Sequence, residues 1–147
     1  MNKYYIILIL FSLSCSKQDK TSSNKLTENI VSKIVVKYQD LDIETPIRID
    51  CDSLESYFQE NIGSMEITNK DKINKILSLL KQCSANEKSE ISNIDVRYKI
   101  NLYYSNKQIE YVCGNRVLIN IKGIVYKVDY NSLKLINTLL EDSNGTK

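Results

Sequence analysis

The sequence predicts an α+β domain: an antiparallel β-meander of four or more strands, packed on one face by two or three helices. Three observations carry the prediction. Residues 94–104 alternate apolar and polar side chains without a break, which is the period of a half-buried strand. Apolar runs follow at 109–113, 117–121 and 124–128, joined through Ser105-Asn106-Lys107, Gly114-Asn115 and Lys122-Gly123. Connections of two or three residues force antiparallel neighbours. Helical spacing recurs on either side of this block, at Ile73, Ile76, Leu77 and Leu80 and at Leu133, Ile136, Leu139 and Leu140.

The elements follow in order. Residues 30–38 (IVSKIVVKY) fit both helix and strand templates, and β-branched content favours a strand over 34–38. Pro46 opens a short strand, 47–51, with alternating faces. Asp52-Ser53-Leu54-Glu55 has the form of a capping box, so a short helix starts there and ends near Gly63, where glycine suits the left-handed C′ position. Thr68, with Asp71 three residues on, caps a second helix whose apolar stripe Cys83 extends. A polar loop spans 84–93. In the long strand Ile94, Val96, Tyr98, Ile100, Leu102 and Tyr104 share the buried face, and Asp95, Arg97, Lys99, Asn101 and Tyr103 the other. The same parity turns Ile109, Tyr111 and Cys113 inward and Glu110 and Val112 outward. It also places Leu118, Asn120, Val125 and Lys127 outside. Asn131 caps the last helix, and 142–147 read as a loose tail. The organisation expected is one domain over 29–141, with no internal repeat.

Composition narrows the function. The 147 residues carry 20 Lys+Arg against 18 Asp+Glu, a net charge of +2 without charge blocks, so no field suits nucleic acid. No histidine is present, which excludes every metal or triad scheme that requires imidazole. Four glycines, none closer than nine residues to the next, exclude a Gly-rich phosphate loop. Neither a cofactor nor a metal is expected.

The N-terminus is the most specific stretch. Lys3 precedes a ten-residue apolar run, 4–13, too short to span a bilayer and suited to a secretory h-region. Ser12-Leu13-Ser14-Cys15 follows, and polar sequence starts at once after it. Here the chain resembles a bacterial lipoprotein precursor, with FSLSC standing as a lipobox. The resemblance implies removal of signal peptide 1–14, a diacylglyceryl group on Cys15, and a membrane partner reached through the acyl chains. Two or more chains anchor stably, at ~0.8 kcal/mol per buried methylene. Ser16 rather than Asp after the cysteine resembles the outer-membrane default, and the CSKQDK start resembles envelope lipoproteins of the Bacteroidetes type. Residues 15–28 then form the lipidated cysteine and a flexible tether.

Candidate chemistry in the mature domain is sparse. Cys51, Cys83 and Cys113 all fall on apolar faces, where a thiol packs as a small hydrophobe and stays protonated. Cys51–Cys113 is the pairing expected of a disulfide, which leaves Cys83 as a spare thiol. Asp95 and Glu110 are expected opposite each other on the polar side, beside Arg97 and Lys99, where cross-strand charge pairing explains them without catalysis. The outer face of the meander holds more interest. Arg97, Lys99 and Tyr103 stand there with Val112, Leu118 and Val125, the composition of a protein-binding surface. The alternative is that residues 30–36 fold over this face and cover it. The function expected is a membrane-anchored, non-catalytic binding module with a protein partner. The alternatives are an immunity lipoprotein that neutralises a toxin and a carboxylate-dependent envelope enzyme.

Overall fold

The computed structural model describes residues 29–144, with side chains through Leu140. Six strands form a single antiparallel sheet in the order β2-β1-β3-β4-β5-β6. They are β1 (Val31–Tyr38), β2 (Gly63–Ile67), β3 (Tyr98–Tyr104), β4 (Ile109–Gly114), β5 (Leu118–Ile121) and β6 (Ile124–Lys127). Three helices, α1 (Leu54–Phe58), α2 (Lys70–Cys83) and α3 (Tyr130–Asn144), complete an α+β fold. The meander runs from β3 to β6 and includes the four strands anticipated from alternation.

Residues 30–36 do not fold over the sheet. They enter it, because β1 inserts between β2 and β3 and pairs with both, Ile34 standing opposite Ile67 and Leu102. The capping assignments also change. Asp52 does not cap α1; the Oδ1 of Asp50 instead accepts the N–H groups of Asp52 and Ser53. Asn69, not Thr68, caps α2, its Oδ1 accepting from Asp71 and Lys72. Asp129, not Asn131, accepts the Ser132 N–H at the start of α3. At α2 and α3 a neighbouring side chain thus serves amides of the first turn, whereas the Asp50 bonds shape the turn that precedes α1, which has no side-chain cap. Helix α3 continues to Asn144, beyond residue 141 where a tail was anticipated.

Gly63 opens β2 rather than ending α1, which gives way to a short 3-10 turn over Gln59–Asn61. Its lack of a side chain serves packing, because a Cβ there would collide with the Tyr38 ring across the ladder. Gly114 plays the same part under Tyr98. Residues 47–51 are not a strand. Ile49 donates to Asp95 Oδ1 and accepts from Val96 N–H at 2.8 Å each, and no ladder extends from that contact.

Register defines two faces. Ile34, Val36, Met65, Ile67, Tyr98, Ile100, Leu102, Val112 and Ile119 face α2 and α3 and form the main core with Ile73, Ile76, Leu79, Leu80 and Ile136. A smaller core lies on the opposite face. Ile49, Leu54 and Phe58 there pack on Ile94, Val96, Cys113 and Val125. Ile94 and Val96 thus leave the face of Tyr98, since the chain turns at Arg97 before β3 begins.

Candidate functional site

The segment 39–62 covers only one end of the second face. It is held there first by Arg97, which is 5% exposed. The guanidinium uses its five donors as a fork: Nη1 to Asp95 Oδ1 at 2.8 Å and to Val96 O at 2.9 Å, Nη2 to Asp95 Oδ2 at 2.6 Å and Thr45 Oγ1 at 3.2 Å, and Nε to Ile43 O at 3.0 Å. Partial burial pushes the Asp95 carboxyl up, but hydrogen bonds from Arg97 and the Ile49 N–H, with the charges of Arg97 and Arg48, outweigh it and hold the group below the ordinary range. A disulfide between Cys51 and Cys113, with Cα atoms 5.9 Å apart, ties the same segment to β4. Lys37 and Glu55 add an ion pair at 3.8 Å from β1 to α1.

Beyond that cover none of the other described residues lies over this face of the sheet. Pairing sets three rows across it: Lys33, Tyr103 and Ile109; then Glu66, Val35, Asn101 and Tyr111; then Lys37 and Lys99, up to the disulfide at Cys113. Ile109 is 55% and Tyr111 50% exposed. Two lysines lie over the aromatic rings, Lys33 Nζ at 4.8 Å from the centroid of Tyr103 and Lys99 Nζ at 5.0 Å from that of Tyr111. The face is therefore aromatic and apolar in its middle with a lysine over each ring, and Lys33 is also paired with Glu66 at 3.3 Å. A cleft of about 560 Å³ continues it between Tyr111, the disulfide, Asn120 and Lys122.

The six anticipated binding residues divide. Lys99 and Tyr103 lie on the bare face, partly exposed. Leu118 stands on the same side but packs against the smaller core. Arg97 and Val125 are buried beneath segment 39–62 and the disulfide, so neither is available to a partner. Val112 points the other way, into the main core opposite Ile100. The reason is the β3–β4 turn. It places Ile109 directly opposite Tyr103, and directly opposed residues share a face. Ile109 and Tyr111 thereby come outside, although their apolar alternation with Glu110 argued for the reverse.

Asp95 and Glu110 are not brought together. Glu110 lies opposite Leu102 and accepts from the Tyr104 hydroxyl at 3.0 Å, with Lys122 Nζ at 3.3 Å. Cys83 is buried on α2 with its thiol free, and burial pushes its pKa up. Among the described residues no group of three or more His, Cys, Asp or Glu side chains is placed to hold a metal ion. No helix among them is long and apolar enough to cross a membrane. The anticipated signal peptide, the lipidation expected at Cys15 and the anticipated tether lie outside the described residues. The chain matches no protein-family model, no curated protein and no solved structure.

Proposed function

We propose that this chain is a lipid-anchored, non-catalytic binding module of the cell envelope, held at the outer membrane through Cys15, that takes a protein partner on the bare rows of its sheet. One observation carries the reading. Among the described residues no helix lies over the face that bears Ile109, Tyr111 and Tyr103, whereas the opposite face of the same strands is packed by α2 and α3. A half-exposed apolar and aromatic patch on a hydrogen-bonded ladder is what a partner can desolvate without reordering the chain. The separation of Asp95 from Glu110, each engaged by a cation, supports a binding rather than a catalytic reading.

The test has two arms. Metabolic labelling with an alkyne fatty acid marks the full chain and not a Cys15→Ala variant; equal labelling, or none, removes the anchor. Envelopes expressing the full chain are then captured beside a Tyr103→Glu/Tyr111→Glu variant. The reading requires a stoichiometric protein retained by the parent and lost by the variant. If that protein is a toxin of a competing cell, the module is an immunity lipoprotein. A captured set identical for both variants removes the bare face from the account.

A further inference from the structure

The two edges of the sheet differ. Along β6 the chain that follows α2 closes the ladder: Ser89 N–H donates to Val125 O and Lys127 N–H to Glu87 O, both at 2.9 Å. Asn86 Nδ2 adds a bond to Lys127 O at 3.0 Å. Along β2, the opposite edge, none of the backbone-to-backbone bonds outside the ladders among the described residues involves residues 63–67. That strand therefore presents main-chain donors and acceptors on its outer side.

A groove of about 190 Å³ runs beside this edge, on the helix-covered face. Met65 and Ile67 line it from β2, Ile76 and Leu79 from α2, and Leu135 and Leu139 from α3. Among the described residues its charged lining is Lys72 and Lys75. Lys75 forms no ion pair among the described residues. Met65 and Ile67 are alternate residues of the strand. A further strand laid outside β2 would set its own alternate side chains along the same groove.

We infer that the β2 edge and this groove form a second docking site, for an extended segment of a partner protein that joins the sheet as a seventh strand. The segment carries apolar residues at alternate positions and an acidic residue toward Lys75. Main-chain pairing supplies affinity, and the apolar groove with Lys75 at its rim supplies selectivity. The site uses the opposite face and an outer edge, so it stands whether or not the bare rows bind a partner.

The full-length chain in detergent micelles is screened against a displayed library of random nonapeptides, and enriched peptides are synthesised and titrated. The peptides recovered alternate apolar residues and include an acid, slow amide exchange within 63–67 on binding, and lose at least tenfold in affinity for Leu135→Asp and for Lys75→Glu. Leu135 is half-exposed and Lys75 is exposed, so both variants keep the parent's melting temperature; Leu135→Ser replaces the first if it does not. Three results overturn the site: a library that enriches nothing, peptides indifferent to these substitutions, or binding that leaves exchange at 63–67 unchanged. A concentration-dependent dimer, dissolved by Leu135→Asp without peptide, overturns it in favour of a second copy of the chain.

Discussion

Arg97 is a structural pin rather than a contact residue. Its fork fixes both oxygens of Asp95 and two points of segment 39–62, so truncation leaves a partly buried carboxylate without its partner. Breaking a buried pair costs ~3–5 kcal/mol, and the partial exposure of Asp95 reduces this, so Arg97→Ala is expected to lose about 2–3 kcal/mol in urea unfolding. Arg97→Lys recovers little, because an ammonium cannot make the bidentate contact.

Acid sensitivity belongs to the same scale. Asp50, Asp95 and Asp129 are all held below the ordinary carboxylate range, Asp50 by the Ser53 side chain and amide, and Asp129 chiefly by the Ser132 amide. A depressed folded pKa stabilises above the unfolded value, about 3.9 for Asp, and the contribution is lost as pH falls through the folded value. Urea midpoints are therefore expected to drop below about pH 4. Asp95→Asn lowers the midpoint at pH 7 and flattens part of that acid limb; an unchanged limb would remove Asp95 from the account. The buried Cys83 thiol, its pKa raised, is expected to resist alkylation until the chain unfolds.

At the scale of elements, tyrosine over glycine sets the packing of β3 on β4. The Tyr98 hydroxyl is buried without a hydrogen-bond partner, directly over Gly114. Gly114→Ala is thus expected to cost about 1–3 kcal/mol by overpacking. Tyr98→Phe removes an unsatisfied donor and is expected to be neutral or stabilising by up to about 1 kcal/mol, and to rescue Gly114→Ala in part. Thermal melts of the two single variants and the double variant measure the coupling. The disulfide acts on the cover of the smaller core. Closing a loop with a separation of 62 residues restricts the unfolded chain by about 4 kcal/mol on entropic reasoning, so Cys51→Ser/Cys113→Ser loses most of the stability that holds segment 39–62.

These elements also show what was legible in the sequence. The helices α2 and α3 and the strands β3 to β6 could be read because one face of each is apolar at the right period. Strand β2 could not. Its letters, Gly-Ser-Met-Glu-Ile, carry one glycine that only a tyrosine in another strand explains. Strand 47–51 was falsely indicated, because Ile49 is buried by tertiary contacts that satisfy its backbone without a ladder.

At the scale of the whole molecule one face of the sheet is packed by α2 and α3, and the described residues cover half of the other. The covered half depends on the Arg97 fork and the disulfide; the bare half is left to Lys33, Val35, Lys99, Asn101, Tyr103, Ile109 and Tyr111. Lys99 and Tyr103 were legible as surface residues from the alternation of β3. Ile109 and Tyr111 were not, because the pattern of β4 is apolar on the side that the turn exposes, and only the pairing of Tyr103 with Ile109 settles its orientation. The lysines of β1 were hidden for another reason. Nothing local indicated that the first strand would join the middle of the sheet, although Lys33, Val35 and Lys37 alternate with its buried positions once it does.

The most direct measurement is site-specific photocrosslinking in living cells. A benzophenone side chain replaces Tyr111 on the bare face or, as a control, Tyr130 on α3, which is 79% exposed. The account predicts a discrete protein adduct from position 111, none from position 130, and its disappearance with Tyr103→Glu. Adducts of equal yield from both positions, or none from position 111, would contradict the claim that this face is where the module meets its partner.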